Sequence, residues 1–431
     1  MKKNQPVSLE QIGRQLKDKR GKRYWRTLEE LAESEAFQEL VENEFPESPF
    51  DWKNAFSRRK FLQLMGASMA FAGLTACTRQ PLERIIPYVK PPEEIIPGKP
   101  LYFATANTMR GYAVGVLVES HMGRPTKIEG NPDHPASLGA SDIFAQASIL
   151  DLYDPDRSRV VKYLGRIGAW EDFLSAMRTE LEAQKLNDGA GVRILTETVT
   201  SPTLHRQLQA FLSAFPLAKW HQYEPAHTDN TKAGAQLAFG QFVDTRYDFE
   251  NADVILSLDA DFLMNHPASL PYARQFSARR RPEAAGHMNR LYVAESTPTL
   301  TGSMADHRWP LRASELPALA FKVADALGAV AAQNLSLEAP LDALDFDDNR
   351  VRAIAEDLQR HAGRCLVVAG EAQPPEVHLL AHAMNFALGN VGKTVFYTDP
   401  VEANPVLHGN SLRELVEEMQ AGSVDLLVML G

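Results

Sequence analysis

His378 and His382 stand four residues apart on a predicted helix, a spacing that can place two imidazoles on one metal ion. The zinc-peptidase form of this pattern also needs a glutamate directly after the first histidine, and Leu379 is there instead. With no third ligand nearby in sequence, surface or packing roles fit both histidines as well. Asp259 and Asp261 follow the predicted strand Val254–Leu258, at the end where α/β folds bind ligands. A helix N-cap or an Asx-turn is the other role open to them. Ala387 to Thr394 satisfies a loose phosphate-loop pattern, with alanine in place of the first glycine. Such a loop needs a strand before it and a helix after it, so that the helix N-terminus faces the phosphates. Here the order is reversed, and Gly389 and Gly392 read as a helix C-cap and a turn. There is no serine in a nucleophile elbow and no GxGxxG. These residues make no catalytic set, and none of them is assigned a catalytic, cofactor-binding or metal-ligating role.

Cysteine chemistry is equally sparse. The chain has two cysteines, Cys77 and Cys365, which excludes a disulfide framework and a cubane cluster held by four cysteines of this chain. Cys77 closes an uncharged, Gly- and Ala-rich run that begins at Phe61 and sits at the lower length limit for a membrane span. A basic flank, a modest apolar stretch and small residues before the cut are what a signal peptide needs. Ser57-Arg58-Arg59-Lys60-Phe61-Leu62 resembles the twin-arginine consensus, carried by Arg58, Arg59, Phe61 and Leu62. Leu74-Thr75-Ala76-Cys77 resembles a lipobox, whose cysteine takes a diacylglyceryl group and becomes the new N-terminus. Two or three acyl chains hold a protein stably on a membrane. The expectation is twin-arginine export and lipid anchoring at Cys77, on the periplasmic face of the cytoplasmic membrane. An uncleaved single-span anchor, a buried core helix and an incidental thiol are the other readings of this segment.

The elements around these residues divide the 431-residue chain into several regions, with two or three folding units the prior for this length. Apolar content of 44% and charged content of 23% are those of an ordinary globular protein. A formal charge of -10 argues against nucleic acid or an anionic membrane surface as the partner of the folded body. Residues 1–56 read as a polar helical arm, with a capping box at Thr27-Leu28-Glu29-Glu30. Residues 57–77 are the signal, and 78–100 a tether containing Pro87, Pro91, Pro92 and Pro97. Residues 101–167 form a β-rich region. Within it, Tyr112–Glu119 and Thr126–Glu129 make a hairpin turned at His121-Met122-Gly123-Arg124, with Gly123 at the positive-φ position.

From about Gly168, strands alternate with amphipathic helical segments. Predicted strands are Val192–Thr196, Lys219–Tyr223, Val254–Leu258, Leu291–Glu295, Cys365–Ala369, Thr394–Thr398 and Leu426–Leu430. This spacing indicates α/β domains of doubly wound parallel sheet, one over 168–335 and a second over 336–431, with a break near Asn334–Asp347. Because Gly431 follows an apolar strand directly, the second domain is expected to be truncated, as a fragment or a split gene product.

Glu119-Ser-His-Met-Gly-Arg-Pro-Thr-Lys-Ile-Glu-Gly-Asn-Pro-Asp-His-Pro135 resembles the opening hairpin and Gly-Asn-Pro-x-His-Pro turn of the molybdopterin oxidoreductases. Gln146-Ala147-Ser148 and Leu152-Tyr153-Asp154-Pro155-Asp156-Arg157 continue the match. The resemblance implies that family's fold. It also exposes a departure: family members with an N-terminal cluster place three cysteines before this hairpin and a fourth after the turn. Leu101–Tyr112 contains none, and none lies near Asp142.

The arm, signal, lipobox and cluster-less shell together resemble the first half of the B subunits of alternative complex III, bacterial quinol-oxidising respiratory assemblies. That resemblance implies a non-catalytic part of an exported electron-transfer subunit that holds no molybdopterin, with iron–sulfur clusters in a further half. It implies partners among cytochrome c and quinol-oxidising membrane subunits. The alternative is an active molybdenum bis-guanine-dinucleotide oxidoreductase of the polysulfide or thiosulfate reductase type.

Overall fold

The computed structural model describes residues 94–281, 283, 288–332 and 346–431. The segment expected to be a helical arm, the expected signal residues Arg58, Arg59, Phe61 and Leu62, Cys77, most of the expected tether and most of the expected break near 334–347 lie outside the described residues. All described residues belong to one compact unit, Pro91–Gly431.

The unit opens with an antiparallel sheet of β1 (Leu101–Met109), β2 (Tyr112–His121) and β3 (Arg124–Gly130). Its turns, Arg110-Gly111 and Met122-Gly123, place both residues at positive φ, the geometry that matches the twist of a tight hairpin. The Met122-Gly123 turn lies where the sequence placed it. Strand β1 was not anticipated; it is largely exposed and carries no apolar alternation. The Gly-Asn-Pro turn then folds back on the sheet. The His134 Nδ1 atom accepts the N–H groups of Gly115 (3.3 Å) and Ala136 (3.2 Å), and Asn131 Oδ1 accepts that of Asp133 (3.0 Å). Gly115 is obligatory at this point, because a Cβ there would lie 2.3 Å from the His134 ring.

Helix α1 (Ile143–Ala147), capped by Asp142, leads to the small hairpin β4 (Lys162–Tyr163) and β5 (Arg166–Ile167) and to helix α2 (Trp170–Lys185). The alternating part follows: β6 (Val192–Thr196), α3 (Pro202–Ala214), β7 (Lys219–Gln222), α4 (Asp229–Phe239), β8 (Asp244–Tyr247), β9 (Val254–Leu258) and α5 (Ser269–Ala278). Next come β10 (Arg290–Glu295), α6 (Leu300–Ser303), β11 (His307–Pro310), α7 (Leu316–Ala326), α8 (Ala329–Ala332) and α9 (Asp348–Arg360). The last elements are β12 (Cys365–Ala369), α10 (Pro375–Ala387), β13 (Val395–Thr398), α11 (His408–Gln420) and β14 (Leu426–Leu430).

Two parallel sheets result, one ordered β11-β10-β9-β12 and one ordered β14-β6-β7. In the larger sheet β9 is buried on both faces, which is why it reads as an apolar run broken only by Ser257, whose hydroxyl donates to the Ala260 carbonyl (2.9 Å). Val254, Leu256 and Leu258 pack with Leu319 of α7, Leu358 of α9 and Leu380 of α10. Ile255 of β9 and Leu366 of β12 face Phe249, Phe262 and Phe276 on the opposite side. Strand β12 joins β9, and β14 joins β6, so both sheets combine strands from before and after residue 335, where the sequence spacing suggests a boundary. Thr394–Thr398, expected among the parallel strands, is instead antiparallel and pairs only with β8 among the described strands. Its neighbour β8 has the polar sequence Asp-Thr-Arg-Tyr, which gives no strand signal by itself.

Candidate functional site

The parallel strands β9, β10 and β12 end at one level, Leu258 lying beside both Ala294 and Ala369. The three loops that leave this edge are therefore neighbours: Asp259-Ala260-Asp261, Ser296-Thr297 and Gly370-Glu371. Asp259 takes a left-handed conformation (φ 58°). Its carboxylate accepts the Ser296 N–H (3.1 Å) on one oxygen and the Gln373 side-chain amide (2.9 Å) on the other. Asp261 accepts both the backbone N–H (3.0 Å) and the hydroxyl (2.7 Å) of Thr301. Neither aspartate caps the chain segment that follows it. Each ties its own loop to a neighbouring one, Asp261 by receiving a first-turn N–H of α6.

Beside this rim lies a cavity of about 610 Å³, bordered by Tyr112, Lys232, Asp244, Tyr247, His382 and Glu402 as well as by the rim itself. Lys232 pairs with Glu402 at 2.6 Å and also donates to the Val406 carbonyl (3.1 Å). Asp244 accepts the Val401 N–H at 3.0 Å. Burial is the main cause that raises the pKa of both Asp244 and Glu402, and it raises that of the Tyr112 phenol too. The β1–β2 turn closes one side. There Arg110 pairs with Glu371 (2.6 Å), and the Thr200 hydroxyl donates to the Gly111 carbonyl.

His378 and His382 sit one turn apart on α10 and both border the cavity. Each is more than nine-tenths buried, at 4% and 7% exposure. Burial lowers the pKa of each to about 4, so both rings are neutral near pH 7. His382 Nδ1 lies 3.0 Å from the Tyr397 hydroxyl, while the Nε2 atoms of both histidines have no hydrogen-bond partner among the described residues. Among the described residues, no group of three or more His, Cys, Asp or Glu side chains is arranged to hold a metal ion. The site offers imidazoles held neutral by burial, phenols and carboxylates around a partly open space.

The segment Ala387–Thr394 is a helix-to-strand connector, as its element order predicts, with Gly389 and Gly392 at φ 65° and 78°. It lies at the amino end of β12, since Asn390 Oδ1 accepts from Gly363 N–H (3.2 Å) and from the Cys365 thiol (3.3 Å). The rim is at the carboxyl end of that same strand. Cys365 is fully buried, and burial pushes its thiol up to about 11. Sequence reasoning singled out Asp259, Asp261, His378 and His382 without assigning them a role, and the fold brings all four to one cavity. It missed Tyr112, Lys232, Asp244 and Glu402, which belong to no motif and meet only through the tertiary arrangement.

No family model matches the chain. It is similar to the menaquinone reductase, molybdopterin-binding-like subunit, of Nitratidesulfovibrio vulgaris, 25% identical over 374 residues, which is 84% of this chain and 51% of that protein. The chain thus spans about half the length of that curated relative. Among solved structures it is similar to acetylene hydratase from Pelobacter acetylenicus, with a TM-score of 0.49 and 14% identity, over 72% of this chain and 47% of that one.

Proposed function

We propose that this molybdopterin-oxidoreductase-like chain is the non-catalytic part of an exported iron–sulfur electron-transfer subunit in a quinol-oxidising respiratory complex of the alternative complex III type. In this reading, Cys77 anchors it by lipid at the periplasmic face of the membrane. Its partners are the cytochrome c and quinol-oxidising membrane subunits of the same complex, and the clusters belong to a further half of the protein. A relative that is itself a molybdopterin-binding-like subunit of a menaquinone reductase supports the electron-transfer setting.

The observation that carries the non-catalytic part of the proposal is the self-closed rim. A pterin dinucleotide brings pyrophosphates, which need free N–H groups or cations at the strand ends. Here the N–H groups of Ser296 and Thr301 are already donated to Asp259 and Asp261. The residues bordering the cavity include Asp244, Asp259, Asp261, Glu371 and Glu402 against Lys232 and Arg246, and Lys232 is itself paired with Glu402. These residues do not suit an anionic dinucleotide.

The test is elemental analysis of the native protein purified in its complex, with iron and molybdenum counted separately per chain. Iron without molybdenum is expected. One molybdenum per chain would overturn the proposal in favour of an active molybdenum oxidoreductase, and the absence of iron would remove the electron-transfer role.

A further inference from the structure

The β4–β5 hairpin is built unlike the rest of the surface. Tyr163, Leu164 and Ile167 are 71%, 85% and 75% exposed, and Trp170, at the start of α2, is 57% exposed. Leu164 sits at the tip in a left-handed conformation (φ 46°), followed by Gly165 at φ 79°. Burial does not explain a large apolar side chain there. Between Arg157 and Trp170 the charges are all of one sign, Arg157, Arg159, Lys162 and Arg166, and Asp154, Asp156, Glu171 and Asp172 lie just outside this stretch. None of the four cations forms an ion pair among the described residues. The register couples the two properties, because Lys162 faces Ile167 and Tyr163 faces Arg166 across the strands. Every residue from Lys162 to Ile167 is exposed, so the hairpin projects from the body on both faces.

We propose that this hairpin is a membrane-contact finger, which sets Leu164, Ile167 and Tyr163 into the interface of an anionic phospholipid bilayer. Apolar tips and an amphipathic aromatic suit the headgroup–acyl boundary, while cations on flexible stems reach back to lipid phosphates. A flat protein interface would favour one apolar face, whereas here each strand pair sets a cation beside an apolar side chain. The net charge of -10 argues against an anionic surface for the folded body as a whole, but this contact is local to the hairpin. Beyond about 8 Å, charges are screened at physiological ionic strength, so the bilayer meets the local basic strip. The finger is independent of the anchor proposed at Cys77, which the test removes.

The full chain carrying Cys77→Ser and Leu164→Cys is labelled at residue 164 with an environment-sensitive fluorophore; the other thiol, Cys365, is buried. It is mixed with phosphatidylcholine vesicles, with and without about one-third phosphatidylglycerol. The apolar run 61–78 and its basic flank Arg58-Arg59-Lys60 are present in every arm and favour anionic vesicles too, so the label at residue 164, and not total affinity, reads the hairpin. On anionic vesicles the label should shift to shorter wavelength and lose quenching by iodide, and affinity should be about tenfold higher than on neutral ones. Lys162→Glu with Arg166→Glu should abolish the label's response to anionic vesicles, and Ile167→Ser should weaken it. A label that stays open to iodide on protein bound to anionic vesicles overturns the proposal. So does a label already shielded in the vesicle-free protein, which would mark a protein–protein contact instead.

Discussion

Asp261 and Thr301, forty residues apart in the chain, are joined twice: one carboxylate oxygen accepts both the Thr301 N–H (3.0 Å) and its hydroxyl (2.7 Å). The Thr301 hydroxyl in turn accepts the Leu263 N–H at 3.2 Å. The loop after β9 and the start of α6 are thereby fixed to each other without a ligand between them.

Removing this link should cost stability before it costs anything else. Asp261→Ala leaves the Thr301 donors without their acceptor and should lower stability by about 2 kcal/mol. Asp261→Asn keeps an acceptor oxygen in place and should cost about half as much. Urea denaturation reads both as a shifted midpoint at unchanged slope. Equal losses in the two variants would mean that the oxygen's position is not what matters.

Gly370 allows the loops after β9 and β12 to meet, since a Cβ there would lie 2.0 Å from the Asp259 carbonyl oxygen. Backbone cannot move aside as a flexible side chain does, so Gly370→Ala should destabilise by about 3 kcal/mol. Gly389→Ala is the control. Its φ of 65° strains an alanine, but nothing lies within 4 Å, and the expected loss is about 1 kcal/mol. Matching losses at the two positions would show that the loop after β9 gives way to the added methyl group.

Strands β6, β9, β12 and β14 were legible in the sequence because each is a short, mainly apolar stretch with turn residues near its ends. Strands β1 and β8 were not, because exposed or polar strands exist by pairing and carry no burial pattern. The partnership of β14 with β6 is a long-range choice that no local window contains. The candidate site divides in the same way. Asp259 and Asp261 were visible because they directly follow a readable strand. The Lys232–Glu402 pair was invisible because 170 residues separate its members. His378 and His382 were visible as a spacing, but their neutral, enclosed state comes from packing around α10.

Export is tested at the twin arginines. Arg58→Lys with Arg59→Lys should leave nearly all of the protein as unprocessed precursor in the cytoplasm, read by cell fractionation and immunoblotting. Cys77→Ser should remove the acyl groups, read by mass spectrometry of the N-terminal peptide. Normal export of the double variant, or an unmodified Cys77 in the wild-type membrane fraction, would remove the signal and the lipobox respectively.

The buried histidines set a pH dependence whose direction follows from their shifts. An unfolded histidine titrates near 6.5, whereas His378 and His382 are lowered to about 4. As pH falls, the unfolded chain takes up protons first, so the folded state loses ground. Their contribution is complete above about pH 6.5 and disappears progressively towards pH 4, amounting to about 2 kcal/mol per histidine by pH 5. Carboxylates held below their usual range, such as Asp306 and Asp357, add acid sensitivity at lower pH and are the same in every variant. His378→Gln with His382→Gln should therefore be less stable than the wild type at pH 7.5, through lost packing, yet lose less on going to pH 5. Stability from urea titrations at the two pH values gives the comparison. An unchanged difference between pH 7.5 and pH 5 would show that these rings are protonated in the folded protein and are not held neutral by burial.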